Sequence, residues 1–191
     1  MLADGDLVIR RLRHERPDLE LMARWLSDER ILEFYGGRDD PLDVDGVIEH
    51  YARRTGPDAL TVGCIIELGA RPIGYVQFYA WSNWPEEVRA MGVEPDDAWG
   101  IDLFIGETEV WGRGIGTRVV DVVSRHLFDR CGARVVTLDP LMTNARAIRS
   151  YEKAGYSKVR VVKDTEAHEG EIRDLWLMVR ERDEEPSSIE Q

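Results

Sequence analysis

Six residues, Gly112-Arg113-Gly114-Ile115-Gly116-Thr117, could do chemistry without any charged side chain taking part. Alternating glycines let successive backbone N–H groups point into one concavity, and a helix starting there adds partial positive charge. Such a turn can hold phosphate oxygens. Its spacing matches neither the G-x-x-x-x-G-K-[ST] phosphate loop nor the G-x-G-x-x-G of dinucleotide folds, and a plain tight turn between strand and helix is the alternative. A second run, from Asp139-Pro140 to Gly155-Tyr156, places Asn144 at a helix start. Asn144, Ile148 and Tyr151 then share one helix face over roughly 10.5 Å, an amide at one end and a phenol at the other. That face can follow an extended cofactor arm, or Tyr151 can simply face the core; Gly155 closes the helix.

Asp102 is the third feature. It interrupts the apolar run Trp99-Gly100-Ile101-Asp102-Leu103-Phe104-Ile105, where a charge is expensive without a role or a partner. The alternative is the exposed face of a half-buried strand. His14, His50, His126 and His168 have no metal or triad spacing, no Gly-x-Ser-x-Gly nucleophile occurs, and Cys131 has no partner signature. These absences favour direct attack on a bound donor over a covalent enzyme intermediate. No metal is expected.

These residues need a scaffold, and the hydrophobic periods supply one. Residues 7–12 read as a strand. Pro17 opens a helix with Leu19, Met22, Ala23 and Leu26 on one face; a short helical stretch covers 31–35, and a third helix follows Pro41 through Val44, Val47, Ile48 and Tyr51. Residues 60–68 and 73–81 form a hairpin about the turn near Gly69. A polar loop, 82–98, contains Glu86, Glu87, Glu94, Asp96 and Asp97. Strand 99–105, the glycine turn, a long helix to about Cys131, strand 134–138, helix 144–154 and strands 156–163 and 171–179 complete the chain. The order predicts one mixed, mostly antiparallel sheet with helices on both faces, an α/β (α+β) fold. Residues 1–180 read as a single domain and 181–191 as an acidic, disordered tail.

The chain has 191 residues, with 25 Lys plus Arg against 37 Asp plus Glu, for a formal charge of −12. A surplus of that sign disfavours nucleic acid or an anionic membrane as partner and suits a cationic small molecule or peptide. The first residues, Met1-Leu2-Ala3-Asp4-Gly5-Asp6, are acidic and lack the apolar core of a secretory signal; Cys64 and Cys131 lack metal spacing. Both point to a cytoplasmic protein.

Trp111-Gly112-Arg113-Gly114-Ile115-Gly116-Thr117 together with Asn144-Ala145-Arg146-Ala147-Ile148-Arg149-Ser150-Tyr151-Glu152-Lys153-Ala154-Gly155-Tyr156 resembles the GNAT acetyltransferase superfamily. Within it, residues 31–37, 72–77 and 100–102 resemble the bacterial aminoglycoside 6′-N-acetyltransferases. Acyltransferases of protein N-termini and of siderophore precursors share several of these pieces, and a non-catalytic acyl-CoA-binding regulator could use the same fold. The resemblance implies a cleft where the fourth and fifth strands read above (99–105 and 134–138) splay apart. It implies that 112–117 cradle the pyrophosphate of acetyl-CoA, that the edge of 102–105 pairs with the pantetheine arm, and that Asn144 hydrogen-bonds that arm. Gly106, Ala147 and Lys153 complete the implied cofactor set. The superfamily usually opens its loop with Gln or Arg where this chain has Trp111, so backbone contacts are expected there and a side-chain polar contact is not.

Acetyl transfer from a thioester to an amine needs a neutral amine, a polarised carbonyl and a protonated leaving thiol. Asp102 is the candidate proton acceptor, and N–H groups near Phe104 and Ile105 could polarise the carbonyl. The resemblance assigns Tyr151 as the acid for the thiolate and Asp139 as an aminoglycoside-binding aspartate; a turn-forming Asp-Pro is the alternative for the latter. Asp96 and Asp97 could line an acidic mouth, with Phe34, Tyr35 and Tyr79 as sugar-facing walls. The expected protein is a monomer or homodimer that acetylates a cationic, aminoglycoside-like amine.

Overall fold

Gly69 and Ala70 both adopt left-handed backbone (φ 56° and 64°), the geometry that matches a two-residue turn to the twist of a hairpin. That turn joins β3 (Thr61–Leu68) to β4 (Arg71–Ala80), the centre of an eight-stranded sheet. The computed structural model describes residues 1–183. Flanking the hairpin are β1 (Leu2–Asp4), β2 (Leu7–Arg11), β5 (Ala98–Ile105), β6 (Val135–Leu138), β7 (Ser157–His168) and β8 (Glu171–Glu181). The spatial order is β1-β2-β3-β4-β5-β6-β8-β7. Every neighbour pair is antiparallel except β5 with β6.

Side chains alternate between the faces of a strand, and the central strands are apolar on both. Ile65, Tyr75 and Phe104 pack with Leu19, Met22 and Trp25 of α1 (Arg16–Trp25), Ile31 of α2 (Glu29–Leu32) and Val47 of α3 (Val44–Tyr51). On the opposite face, Ile66, Val76, Phe78 and Ile101 pack with Val119, Val123 and Leu127 of α5 (Ile115–Arg130) and Ile148 of α6 (Ala145–Lys153). The helix starts follow the sequence reading: Pro17 sits in the first turn of α1, while Asp28 and Asp43 cap α2 and α3 by accepting the N–H groups of Arg30 and Gly46.

Three features depart from that reading. The short edge strand β1 is extra. The polar loop contains a helix, α4 (Pro85–Ala90), because Val88 and Met91 find a third small core with Trp81, Ala98, Val162 and Leu177. Strand β8 runs to Glu181, and the Arg182 N–H still donates to the Arg134 carbonyl; the rest of the expected tail, 184–191, lies outside the described residues. Among the described residues no helix is long and apolar enough to cross a membrane.

Glu107 anchors the entry to the glycine turn. It is 7% exposed and accepts from the indole Nε1 of Trp25 at 2.9 Å and from Arg71 Nη2 at 2.8 Å, with Arg24 as a further partner. Burial alone would raise its pKa; hydrogen bonds from Trp25 and Arg24 and the charges of Arg24 and Arg71 outweigh burial and hold it below the usual carboxylate value. Such a group stabilises the fold above its unfolded pKa and stops doing so as the pH falls through its lowered folded one. Glu107→Ala, which leaves the Trp25 N–H without its partner, is expected to cost about 2 kcal/mol at pH 7 in denaturant unfolding. The gap from the parent should narrow in acid as the pairing with Arg24 and Arg71 is lost, the Trp25 hydrogen bond to the protonated carboxyl remaining; a gap that does not change with pH would point to packing rather than charge.

Candidate active site

Strands β5 and β6 pair only at Ala98↔Val135, Trp99↔Val136 and Gly100↔Thr137. Beyond them β5 stays paired with β4 as far as Gly74↔Ile105, so its other edge opens. The Gly106 N–H donates to the Ile73 carbonyl at 2.8 Å. Antiparallel alternation therefore turns the N–H groups of Phe104 and Asp102 toward β4 and those of Leu103 and Ile105 toward the opening. This corrects one expectation: the Phe104 amide belongs to the ladder, and Leu103 takes its place beside Ile105. Trp111 fixes the end of this edge, its Nε1 donating to the Ile105 carbonyl at 2.7 Å, while the Arg146 guanidinium lies 3.6 Å over its ring.

A cavity of about 280 Å³ follows the opening to the glycine turn. Phe104, Ile105, Trp111, Gly112, Gly114, Ile115, Gly116, Thr117, Asn144, Ala147 and Lys153 line it, joined by Arg30, Arg146 and Arg149, which the sequence reading did not single out. Gly112 and Gly114 have φ of 75° and 76°, and Gly114 is the N-cap of α5 with no side-chain hydrogen bond to the first turn. The leading N–H groups of a sixteen-residue helix thus face this cavity, an arrangement that can hold an anion. Gly106 and Arg113 line neither this cavity nor the next one. Gly106 is needed for packing, since a Cβ there would come within 2.4 Å of the Trp25 ring, and Arg113 is exposed. Asn144 caps α6, its Oδ1 accepting from the Ala147 N–H at 3.1 Å, which leaves its amide NH₂ to serve a ligand.

A second cavity, about 350 Å³, opens on the other side. Phe34, Tyr35, Tyr79, Asp102 and Asp139 line it, as the sequence reading expects, together with His168 and Leu175. Asp96 and Asp97 line neither cavity. They are exposed, and Asp97, at φ 59°, uses its carbonyl to accept from the Arg134 N–H. His168 was invisible as a site residue because nothing near it in sequence marks it; the tertiary fold places it, 4% exposed, with Nε2 2.9 Å from the Glu33 carbonyl. The two cavities share Phe34, Tyr35, Leu103, Asn144 and Tyr151.

Asp102 lies directly opposite Gln77 in the β4–β5 ladder, so both side chains emerge on the same face. The Gln77 amide Nε2 donates to Asp102 Oδ2 at 2.6 Å. Burial pushes the Asp102 carboxyl up, and hydrogen bonds from Gln77 and Tyr79 with the charge of Arg54 only partly oppose it, leaving a carboxylate more basic than usual. Burial, then the charges of Asp102 and Asp139, raise Tyr151 and keep its phenol protonated. Among the described residues no cluster of three or more His, Cys, Asp or Glu is placed to hold a metal ion.

A sheet parted between two parallel strands, with a helix start that can hold an anion at one end and a basic carboxylate and a phenol at the other, suits a group-transfer enzyme with an elongated, phosphate-bearing donor. Residues 14–164 match the model of the acetyltransferase (GNAT) domain, and the chain belongs to that family. It is an acetyl-CoA-dependent acetyltransferase. It is 32% identical over 158 residues to aminoglycoside N(6')-acetyltransferase type 1 of Klebsiella pneumoniae, covering 81% of this chain and 76% of that protein. It is also similar to the structure of AAC(6')-Ib in complex with ribostamycin and coenzyme A, at 27% identity and a TM-score of 0.72 over 93% of this chain and 94% of that one. Spermidine N-acetyltransferase from Vibrio cholerae shares the fold, at 18% identity and a TM-score of 0.73 over 93% of this chain and 96% of that one.

A Cβ at Gly114 would meet nothing within 4 Å, so Gly114→Ala isolates the backbone requirement of the turn. It is expected to lose about 1 kcal/mol from left-handed strain alone, measured by urea unfolding. An unchanged midpoint would show that the turn does not need its left-handed residue.

Proposed function

We propose that the protein transfers the acetyl group of acetyl-CoA to a primary amine of a cationic, aminoglycoside-like acceptor, most specifically the 6′ amine, in the cytoplasm and within a single domain, 1–180. The observation that carries this reading is the junction of the two cavities at Leu103, Asn144 and Tyr151 beside Asp102. Donor and acceptor entering from opposite sides would meet there. The kinship with an aminoglycoside N(6')-acetyltransferase and the pair of carboxylates, Asp102 and Asp139, in the acceptor cavity support the acceptor class.

Bound acetyl-CoA supplies the acetyl thioester. In this reading the N–H groups of Ile115, Gly116 and Thr117, with the glycines before them, hold the pyrophosphate, and the Asn144 NH₂ and the edge of Leu103 and Ile105 hold the arm. Those two edge N–H groups also stabilise charge developing on the thioester oxygen. Asp102 removes a proton from the acceptor ammonium, so that the amine lone pair is free to form the new C–N bond as the C–S bond breaks. Tyr151 gives its proton to the departing sulfur and regains one from the second proton that the nitrogen sheds on becoming an amide, while the proton gained by Asp102 returns to solvent. Asp139 and the ring walls of Phe34, Tyr35 and Tyr79 orient the cationic sugar.

Thiol release followed across a kanamycin-type sugar with a 6′ amine, the matching 6′-hydroxy sugar, peptides and hydroxylysine tests the acceptor. Turnover is expected with the 6′-amino sugar alone; equal turnover with the 6′-hydroxy sugar would refute the regiochemistry, and preference for a peptide or hydroxylysine would reassign the acceptor. In the same assay Asp102→Asn should lower kcat by about 10²-fold or more while CoA binding is retained. Wild-type turnover in that variant would remove Asp102 from the chemistry.

A further inference from the structure

Behind Asp102 stands a hydrogen-bonded chain that leads away from both cavities. Gln77 has one acceptor oxygen and one NH₂ group. Its Oε1 accepts from Arg54 Nη1 at 2.6 Å and from the Tyr75 hydroxyl at 2.9 Å, and its Nε2 donates to Asp102 Oδ2 at 2.6 Å. With two donors on the oxygen, a flipped amide would set NH₂ against a guanidinium and a carbonyl oxygen against a carboxylate. Only one orientation of Gln77 is satisfied. Arg54 is itself held in place: it lies in the short turn Ala52–Arg54 that continues α3, with its guanidinium 4.3 Å over the Tyr51 ring. Tyr75 is fully buried. The chain fits because β3 carries Gly63 beneath it: a Cβ there would come within 2.9 Å of the Tyr75 hydroxyl and 3.2 Å of Arg54 Cβ.

We propose that Arg54 and Gln77 are positioning residues for the reaction: Arg54 locks the Gln77 amide so that it always donates to Asp102, committing Oδ2 and keeping the carboxylate ionised and oriented toward the acceptor amine. The proposal rests on Asp102 being the proton acceptor. Neither Arg54 nor Gln77 lines either cavity, so their effect passes through Asp102. Other groups also face this carboxylate: Tyr79 from β4, Tyr35 beyond α2, Tyr51 from α3 and Tyr151 from α6, with Asp139 after β6 and His168 at the end of β7 lining the same cavity. The tyrosines are neutral when Asp102 titrates. Neither Arg54 nor Gln77 lines the cavity that Asp139 and His168 share with Asp102.

The test is the pH profile of kcat/KM for the acceptor, measured for the parent and for Arg54→Met, Arg54→Lys and the isosteric Gln77→Glu. Losing the cation, or setting a second carboxylate beside Asp102, disfavours the ionised form. The acid limb should move to higher pH in Arg54→Met and Gln77→Glu, with kcat/KM at pH 6 about tenfold lower and the alkaline plateau within about twofold of the parent. The KM for acetyl-CoA should not change, and Arg54→Lys should move the limb back toward the parent. A limb that stays in place in folded Arg54→Met overturns the proposal; should that variant fold poorly, an unmoved limb in Gln77→Glu does so alone. An inactive Asp102→Asn combined with unmoved limbs refutes only this chain, whereas an active Asp102→Asn refutes the proton-acceptor reading beneath it.

Discussion

After Gly100 on one strand and Thr137 on the other, two parallel strands at the centre of the sheet stop sharing hydrogen bonds. A central strand that loses its neighbour exposes backbone donors and acceptors that must find partners, and the rest of the molecule is organised around that debt. Strand β4 holds β5 straight on its other side through seven paired positions, from Ala80↔Trp99 to Gly74↔Ile105. The Trp111 indole takes up the last carbonyl of the open edge. What remains is a short edge of N–H groups at Leu103 and Ile105, suited to an extended ligand that pairs as a strand would.

The two ends of the opening differ in charge, and that difference directs the chemistry. At one end lie the uncapped start of α5, Arg30, Arg146, Arg149 and Lys153; at the other lie Asp102 and Asp139 among tyrosines. That separation would draw an anionic donor and a cationic acceptor each to its own mouth. The overall charge of −12 therefore says less than its distribution. Rigidity comes from behind: Glu107 ties α1 and β4 to the root of the glycine turn, and the Arg54–Gln77 chain ties α3 and β4 to Asp102. Both anchors are buried or half-buried polar groups with satisfied partners, which is the condition under which such groups order a site rather than weaken it.

Features that depend on a few adjacent residues were legible in the sequence. The glycine turn, the start of α6 at Asn144 and the anomalous Asp102 are local, and the structure has each of them where the spacing put it. Features set by cross-strand register or by loop trajectory were not. Asp96 and Asp97 are as acidic as a substrate-binding pair should be, yet the turn before β5 carries them away from both cavities. Gln77 sits 25 residues from Asp102 and Arg54 a further 23 back; the β4–β5 register brings the first two together, and the packing of the 52–54 turn over β3 at Gly63 brings in Arg54. The alternation Tyr75-x-Gln77-x-Tyr79 did mark a polar residue on a buried strand face, the signal that could have raised Gln77 earlier. Helix α4 was hidden because its buried side, Val88 and Met91, is too short to show a period.

The account turns on the open edge of β5 receiving the cofactor arm while the start of α5 receives its phosphates. Amide hydrogen exchange at single-residue resolution, with and without CoA, reads both at once. Leu103, Ile105 and the first-turn amides Ile115, Gly116 and Thr117 should slow together on binding, while the Phe104 amide, already in the β4 ladder, should change little. Binding of CoA with the Leu103 and Ile105 amides exchanging as fast as before would contradict it.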